Sequence, residues 1–469
     1  GGYTAFANGS LQLGALNSHG VLSAGRIELK NSSSIRTDGK NSPGIVATGV
    51  AGGGGFVAGQ AGEIVNVVHL GGSGRTVSKA DRLRIKLDRS SEVITNGHNS
   101  PGVLGQSIGG GGGYTSQRGR FINMGQQGGI GHAGNVDIEN EGRISTRGNH
   151  SHGVVAQSIG SGGGTAFLSD RRAVLGSTNG SNGNAGSVVV NNRRGIISTH
   201  GKHSIGVVAQ SVGGGGGRLA EAKGDVHLGA DGGSGHGGLV EIINERALIS
   251  TTGNFSPAYL MQSVGGGGGH IAARRNGETE ANTRLILGGG QEGAEGNGGQ
   301  IQLKNFTGEI NSSGKFSPGI VHQSIGGGGG WLGELSGIST SLGGRSVGRS
   351  SGANLNMRLP LAVNTLSATS PGVVIQSIGG GGGASGNVKH GAYLGGRPDS
   401  GSIVRGGTIG FTSQQPIQTF GLNSPGVLLQ SIGGGGGYVG SARERVELGG
   451  TIHNLADASA GNIESINRS

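Results

Sequence analysis

Four groups of residues in this chain have types and spacings that could do chemistry: glycine runs, a recurring Gln-Ser pair, scattered histidines and short basic alternations. A glycine run such as Gly109 to Gly113 offers backbone N–H groups to a phosphate. The phosphate-binding loop, however, needs Gly-Lys-(Ser/Thr) opening a helix, and no run continues that way. The 14 histidines are dispersed. His150 and His152 share one turn, and His98, His200 and His203 fall in equivalent loops, where solvated imidazoles are expected rather than metal ligands. The 26 acidic residues never form the calcium-binding Gly-Gly-x-Gly-x-Asp pattern. Cysteine is absent, which removes disulfides, Cys-based zinc sites and thiol nucleophiles together. Hydrolysis or elimination on a polysaccharide would need carboxylates or cations gathered at one break in the pattern, and the variable loops show no such gathering. Leu83-Arg84-Ile85-Lys86-Leu87 alternates so that two cations share the solvent face of a strand; Arg274-Arg275 and Arg443 with Arg445 are smaller basic patches. These read as a solvated, edge-protecting face. No catalytic residue, cofactor or metal site is expected.

The Gln-Ser pair leads back to the elements that must position it. Its glutamine stands at Gln106, Gln157, Gln210, Gln262, Gln323, Gln376 and Gln430, with Thr48 in a degenerate first copy. Six residues before each lies a serine: Ser42, Ser100, Ser151, Ser204, Ser256, Ser317, Ser370 and Ser424. The shared string is Ser-Pro-Gly-Val-Val-x-Gln-Ser-Ile-Gly-Gly-Gly-Gly-Gly. A second marker, an apolar residue followed by Gly, recurs as Leu70-Gly71, Met124-Gly125, Leu175-Gly176 and onward to Leu448-Gly449. Both markers keep step along the whole chain, which defines about eight repeats of roughly 54 residues.

Composition fits such an array better than a globular core. Glycine supplies 111 of 469 residues, whereas Phe, Tyr and Trp make up 3%. In the copy from 186 to 228 the apolar residues fall in five short runs, at Val188-Val189-Val190, Ile196-Ile197, Val207-Val208-Ala209, Leu219 and Val226 to Leu228. Short β-branched runs bounded by turn formers read as strands, and no window holds a helical period. The expected fold is therefore all-β: a parallel β-helix or β-solenoid, one continuous array over 1–469, cut from a longer chain at both ends. We read two coils per repeat, one with Val136, Ile144 and Val154, the other with the glycine run and the Leu-Gly strand. One large coil per repeat is the alternative and halves the length.

Five successive glycines are entropically costly, so they imply close backbone stacking or positive φ. The period of two puts Leu104, Gln106 and Ile108 on one strand face. If that face is inward, the buried amides must satisfy one another in a ladder. If it is outward, the glutamines form a ligand-binding row. The Ser-Pro-Gly strings read as corner turns.

The stretch Gly148 to Gly160, with its Val154-Val155-Ala156-Gln157-Ser158-Ile159-Gly160, resembles a repeat common in large bacterial autotransporter passenger domains, as does Ser204 to Gly213. The resemblance implies a secreted or cell-surface passenger, tethered to the outer membrane by a C-terminal barrel that this chain does not contain, with an adhesive or structural role. Departures from the pattern at Thr48-Gly49, at Ser161, and between Leu355 and Thr369, where Pro360 is expected to interrupt a strand, mark the copies expected to be irregular.

The expected function is a non-catalytic adhesin or stalk. Its partners would be neighbouring repeats or further copies end to end, and an anionic polysaccharide or a host or cell surface. A net charge of +10 suits an anionic partner, but the basic runs of a dedicated nucleic-acid surface are missing. An extracellular filament or sheath is the second reading, and a polysaccharide-acting β-helix enzyme a minor third.

Overall fold

A computed structural model describes residues 2–4, 10–14, 20–59, 63–125, 127–176, 182–229, 232, 234–274, 284–288, 295–335, 340–344, 348–389, 392–396, 402–443, 445–449 and 457–467. Among these there are strands, turns and bends but no helix. Every strand pairing is parallel and joins one repeat to the next: Leu83 to Val136, Val93 to Ile144, Gln106 to Gln157 and Gly112 to Gly163. The chain is a parallel β-solenoid.

The rung from Val188 to Leu228 shows how sequence becomes wall. Its strands are Val188–Arg193, Ile196–Thr199, Val207–Val212, Gly216–Ala222 and Asp225–Leu228. We call the walls they build, in that order, the first, the second, the shared, the glycine and the marker wall. The second and shared walls each stack eight strands. The glycine and marker walls merge into one sheet through the continuous strand Gly163–Leu175.

Each wall pairs only with itself in the next repeat, so a repeat is one large coil, and the two-coil reading is corrected. Its two halves were rightly divided but lie side by side at one level. At about 4.8 Å per rung, eight rungs give a stack on the order of 40 Å.

The two halves are lobes with separate interiors. In the first, Val136, Ile138, Ile144, Val154 and Ala156 meet in an apolar core that runs the length of the stack. In the second, Leu175, Leu219, Val226 and Leu228 belong to another core. The strand Val154–Ile159 is buried at every residue because it stands between them. Val154 and Ala156 face the first lobe. Val155 packs on the other side with Tyr114, Val208, Leu260 and Trp331. A strand read as alternating in-and-out is therefore buried on both faces, as central parallel strands are.

Of the departures, Thr48 keeps its place opposite Gln106. Ser161 takes a left-handed φ of 64° where other copies have glycine. Pro360 falls at the corner between Leu355–Leu359 and Ala362–Thr365 and interrupts no strand. The irregularity is one boundary earlier, where the first wall breaks into six strands ending at Ile301–Lys304 and three beginning at Leu355–Leu359.

Candidate functional site

The repeat residues converge on the shared wall. Gln106, Gln157, Gln210, Gln262, Gln323 and Gln376 are fully buried and face the second lobe. Each side-chain amide donates from Nε2 to Oε1 of the next, at 2.7, 2.6, 2.5, 2.8, 2.6 and 2.6 Å, ending at Gln430. The remaining capacity is partly met inside the lobe, where Thr165 Oγ1 donates to Gln157 Oε1 at 2.9 Å and Gln262 Nε2 reaches the Gly269 carbonyl. With no face toward solvent, this row offers nothing to a ligand.

The corner serines form a second column. Ser151 Oγ accepts from the Ser100 N–H at 3.0 Å and donates to the Gly97 carbonyl at 2.9 Å, both in the preceding rung. The same N–H to hydroxyl step links Ser42 to Ser100, Ser151 to Ser204, and then Ser256, Ser317, Ser370 and Ser424 in turn. The serine after each glutamine has a different task. Ser158 Oγ donates to the Gly134 carbonyl and accepts from the Gly186 N–H, fastening the shared wall to the segments that enter the first wall.

The two sequence markers meet in space. A Cβ on Gly111 would lie 2.8 Å from the Cα of Gly71; on Gly162, 2.6 Å from Gly125; on Gly215, 2.7 Å from Gly176. A Cβ on Gly112 would overlap the Gly163 carbonyl oxygen of the next rung, and one on Gly163 would overlap that of Gly216. Both glycines have φ near 130°, closed to other residues. The run is a backbone-on-backbone seam, which is why its length hardly varies even where the spacing to the Leu-Gly marker does, as between Gln262 and Leu287.

The residue just before each corner serine takes a left-handed φ between 53° and 59°: Asn41, Asn99, His150, His203, Phe255, Phe316, Thr369 and Asn423. Rings stack along this column, His150 on His203 at 5.0 Å, His203 on Phe255 at 4.9 Å, and Phe255 on Phe316 at 4.9 Å. Stacking of this kind contributes about 0.5–1.5 kcal/mol per pair and offsets the strained backbone.

The solvated-histidine expectation is thereby corrected. His98 and His200 are exposed, but His150, His152 and His203 are buried, as are His270 and His322. Burial holds His152, His203 and His270 well below the usual imidazole range, and nearby cations add to the effect. These rings come from different rungs, with Arg218 and Lys202 beside them. Sequence reading missed the cluster because only the stack brings its members together. Aligning the copies on their serines would have exposed the ring column.

Among the described residues no group of His, Cys, Asp and Glu is arranged to hold a metal. Outside, Arg84 and Lys86 of the expected solvated face, and their neighbours Arg82 and Arg89, pair across rungs. Arg82 engages Asp137, Arg84 and Lys86 engage Glu139, and Arg89 meets Glu141 at 3.3 Å. Arg445 meets Glu447 at 2.8 Å, while Arg275 and the side chain of Arg274 fall outside what is described.

No family model, curated protein or solved structure matches this chain.

Proposed function

We propose that this chain is a rigid, non-catalytic segment of a cell-surface or secreted bacterial passenger of the autotransporter kind, acting as adhesin or stalk. The observation that carries the reading is the sealed stack. The sheets and the buried amide ladder tie rung to rung. Such a body transmits force and displays side chains.

The outward carboxylates support a non-catalytic role. Asp137, Glu139, Glu141, Asp170, Glu241 and Glu245 are each held by a cation of an adjacent rung. What supports an anionic polysaccharide as partner is a groove of about 590 Å³ on the outer face of the first wall, lined by Gln302, Lys304, Asn356, Arg358, Thr412 and Gln414. Amides and a guanidinium recognise hydroxyls and carboxylates or sulfates alike.

The test is protease shaving of intact producing cells together with adhesion of the purified chain to immobilised anionic and neutral glycans. Release of repeat fragments by shaving and retention on the anionic glycan, lost in R358A, support the reading. Protection of the repeat inside intact cells overturns it.

A filament or sheath is the second reading. Pairing that runs unbroken from rung to rung through the second and shared walls favours it. Electron microscopy of native material separates the two, since fibres rather than tethered rods favour the polymer.

A further inference from the structure

We propose that the second lobe encloses a binding site for one small monovalent anion of the halide class, held by Arg218. The inference does not depend on where the protein resides.

Along the glycine wall one column faces the shared wall. It runs Phe56, Tyr114, Thr165, Arg218, His270, Trp331 and Ala384 from rung to rung. Its other members are aromatic, small or neutral. Arg218 alone brings a permanent charge, and it is 3% exposed. A guanidinium in such a place needs a counter-charge, because an isolated buried ion costs far more than a paired one.

The protein supplies none at contact distance. Among the described residues no carboxylate comes within ion-pair distance of Arg218. Glu334, two rungs on, is bonded to Lys202 at 2.5 Å. The guanidinium makes one weak hydrogen bond, from Nη2 to the His150 carbonyl at 3.4 Å, and Nε is buried with no partner. Tyr114 is the acidic group that favours its charge, yet burial pushes the Tyr114 hydroxyl up to about 12, so it stays a neutral phenol. Burial lowers Arg218 to about 10, which still leaves it cationic at neutral pH.

The lining includes one unpartnered acceptor, Asn99 Oδ1, which an anion must face away from, and His152 brings a donor within electrostatic reach of Arg218. His152 Nδ1 accepts the Ile205 N–H at 2.9 Å, so its proton sits on Nε2, which is buried and unpartnered. Arg218 is among the causes that hold His152, His203 and His270 neutral. Beside Arg218 is a void of about 10 Å³, bounded by Asn99, Tyr114, Thr115, His150 and Thr165. That is room for one water-sized centre. A sulfate or phosphate does not fit, which restricts the anion to a monatomic one.

So that the anion can enter as the lobe forms, the full chain is refolded from denaturant into sodium bromide or sodium gluconate of equal ionic strength at pH 7.5. Thermal unfolding is then followed by circular dichroism, and crystals from bromide are measured at the bromine edge. The expected result is a melting temperature higher by several degrees in bromide and an anomalous peak against Arg218 Nε. Arg218→Thr, which copies the neighbouring Thr165, should fold and lose the bromide dependence, whereas Glu221→Gln should keep it. Equal melting in both salts with no peak means that the void holds water alone and overturns the proposal. So does a bromide effect of the same size in Arg218→Thr, which would place the halide elsewhere. If Arg218→Thr does not fold, the anomalous map of the unaltered chain decides.

Discussion

The two lobes are built from the same coil by opposite means. The first is filled by side chains: Val136, Ile138, Ile144 and Val154 recur as Val, Ile or Leu in most rungs, with Tyr259, Met357 and Phe411 the larger or longer exceptions, and their volume sets the spacing. The second has an apolar core of its own but is closed, where the glycine run lies, by the absence of side chains, with Gly111 to Gly113 laid on the glycines of neighbouring rungs. A core made of volume tolerates a methylene more or less. A seam made of backbone has no such latitude, while the column beside it changes freely from Tyr114 to Thr165, Arg218, His270 and Trp331. Constancy in this sequence therefore marks where main chain touches main chain.

Breaking the seam should have the largest effect. Gly163→Val adds a Cβ where the Gly216 carbonyl stands and forces a φ of 127° on a β-branched residue. The cost should exceed about 4 kcal/mol, read as loss of amide-exchange protection in Gly163–Leu175 and both adjoining rungs. Unchanged protection would mean that the seam is loose.

The amide ladder comes next. Gln157→Leu leaves the Gln106 donor and the Gln210 acceptor buried without their partner, at about 1–3 kcal/mol each. Gln157→Glu should be worse at pH 7, because the carboxylate faces the Gln210 oxygen. Its folded pKa must rise, so the variant should recover as pH falls from that raised value toward the ordinary carboxylate value of about 4.3, where the recovery is complete. Denaturation midpoints at pH 4 and pH 7 check both, and changes within about 0.5 kcal/mol would remove the ladder from the energetics.

A third test separates the lobes by pH. His322 points into the apolar first lobe between Met261 and Ile375, and burial lowers it to about 3. Its folded value lies below its unfolded one. The stability it allows is thus full above about pH 6.5 and is lost as pH falls toward 3. Between pH 7 and pH 5 the loss should be about 2 kcal/mol. His322→Met should abolish that share of the pH dependence, measured as the difference between denaturation midpoints. An identical pH slope in the variant would assign the loss to the histidines of the second lobe.

The smallest effect belongs to the first-lobe filling. Ile138→Val should cost only about 0.5–1.5 kcal/mol by chemical denaturation. A cost matching that of the glycine seam would erase the contrast between the lobes.

Much of this was legible in the chain. Five apolar runs in the copy from 186 to 228 became five strands, because β-branched residues between turn formers leave few alternatives. The inward aspect of Gln157 followed from its parity with Val155 and Ile159. What parity cannot tell is whether the two halves of a repeat stack or lie abreast, since each marker occurs once per repeat either way. Nor could it show that Val154 and Val155 are both buried, which requires a second lobe behind the wall. The ring column escaped notice because His150, His203 and Phe255 look unrelated until they are aligned on Ser151, Ser204 and Ser256.

The glutamine ladder has one more consequence. All six of its amide hydrogen bonds run the same way, from Nε2 of one rung to Oε1 of the next. Amide dipoles of about 3.5 D each therefore add head to tail, as they do along a helix. The stack has an electrical polarity buried out of reach of salt, with bare acceptor oxygen at the Gln106 end and N–H at the Gln430 end. A coil laid in reverse would set like amide atoms against each other, so each coil dictates the orientation of the one laid upon it.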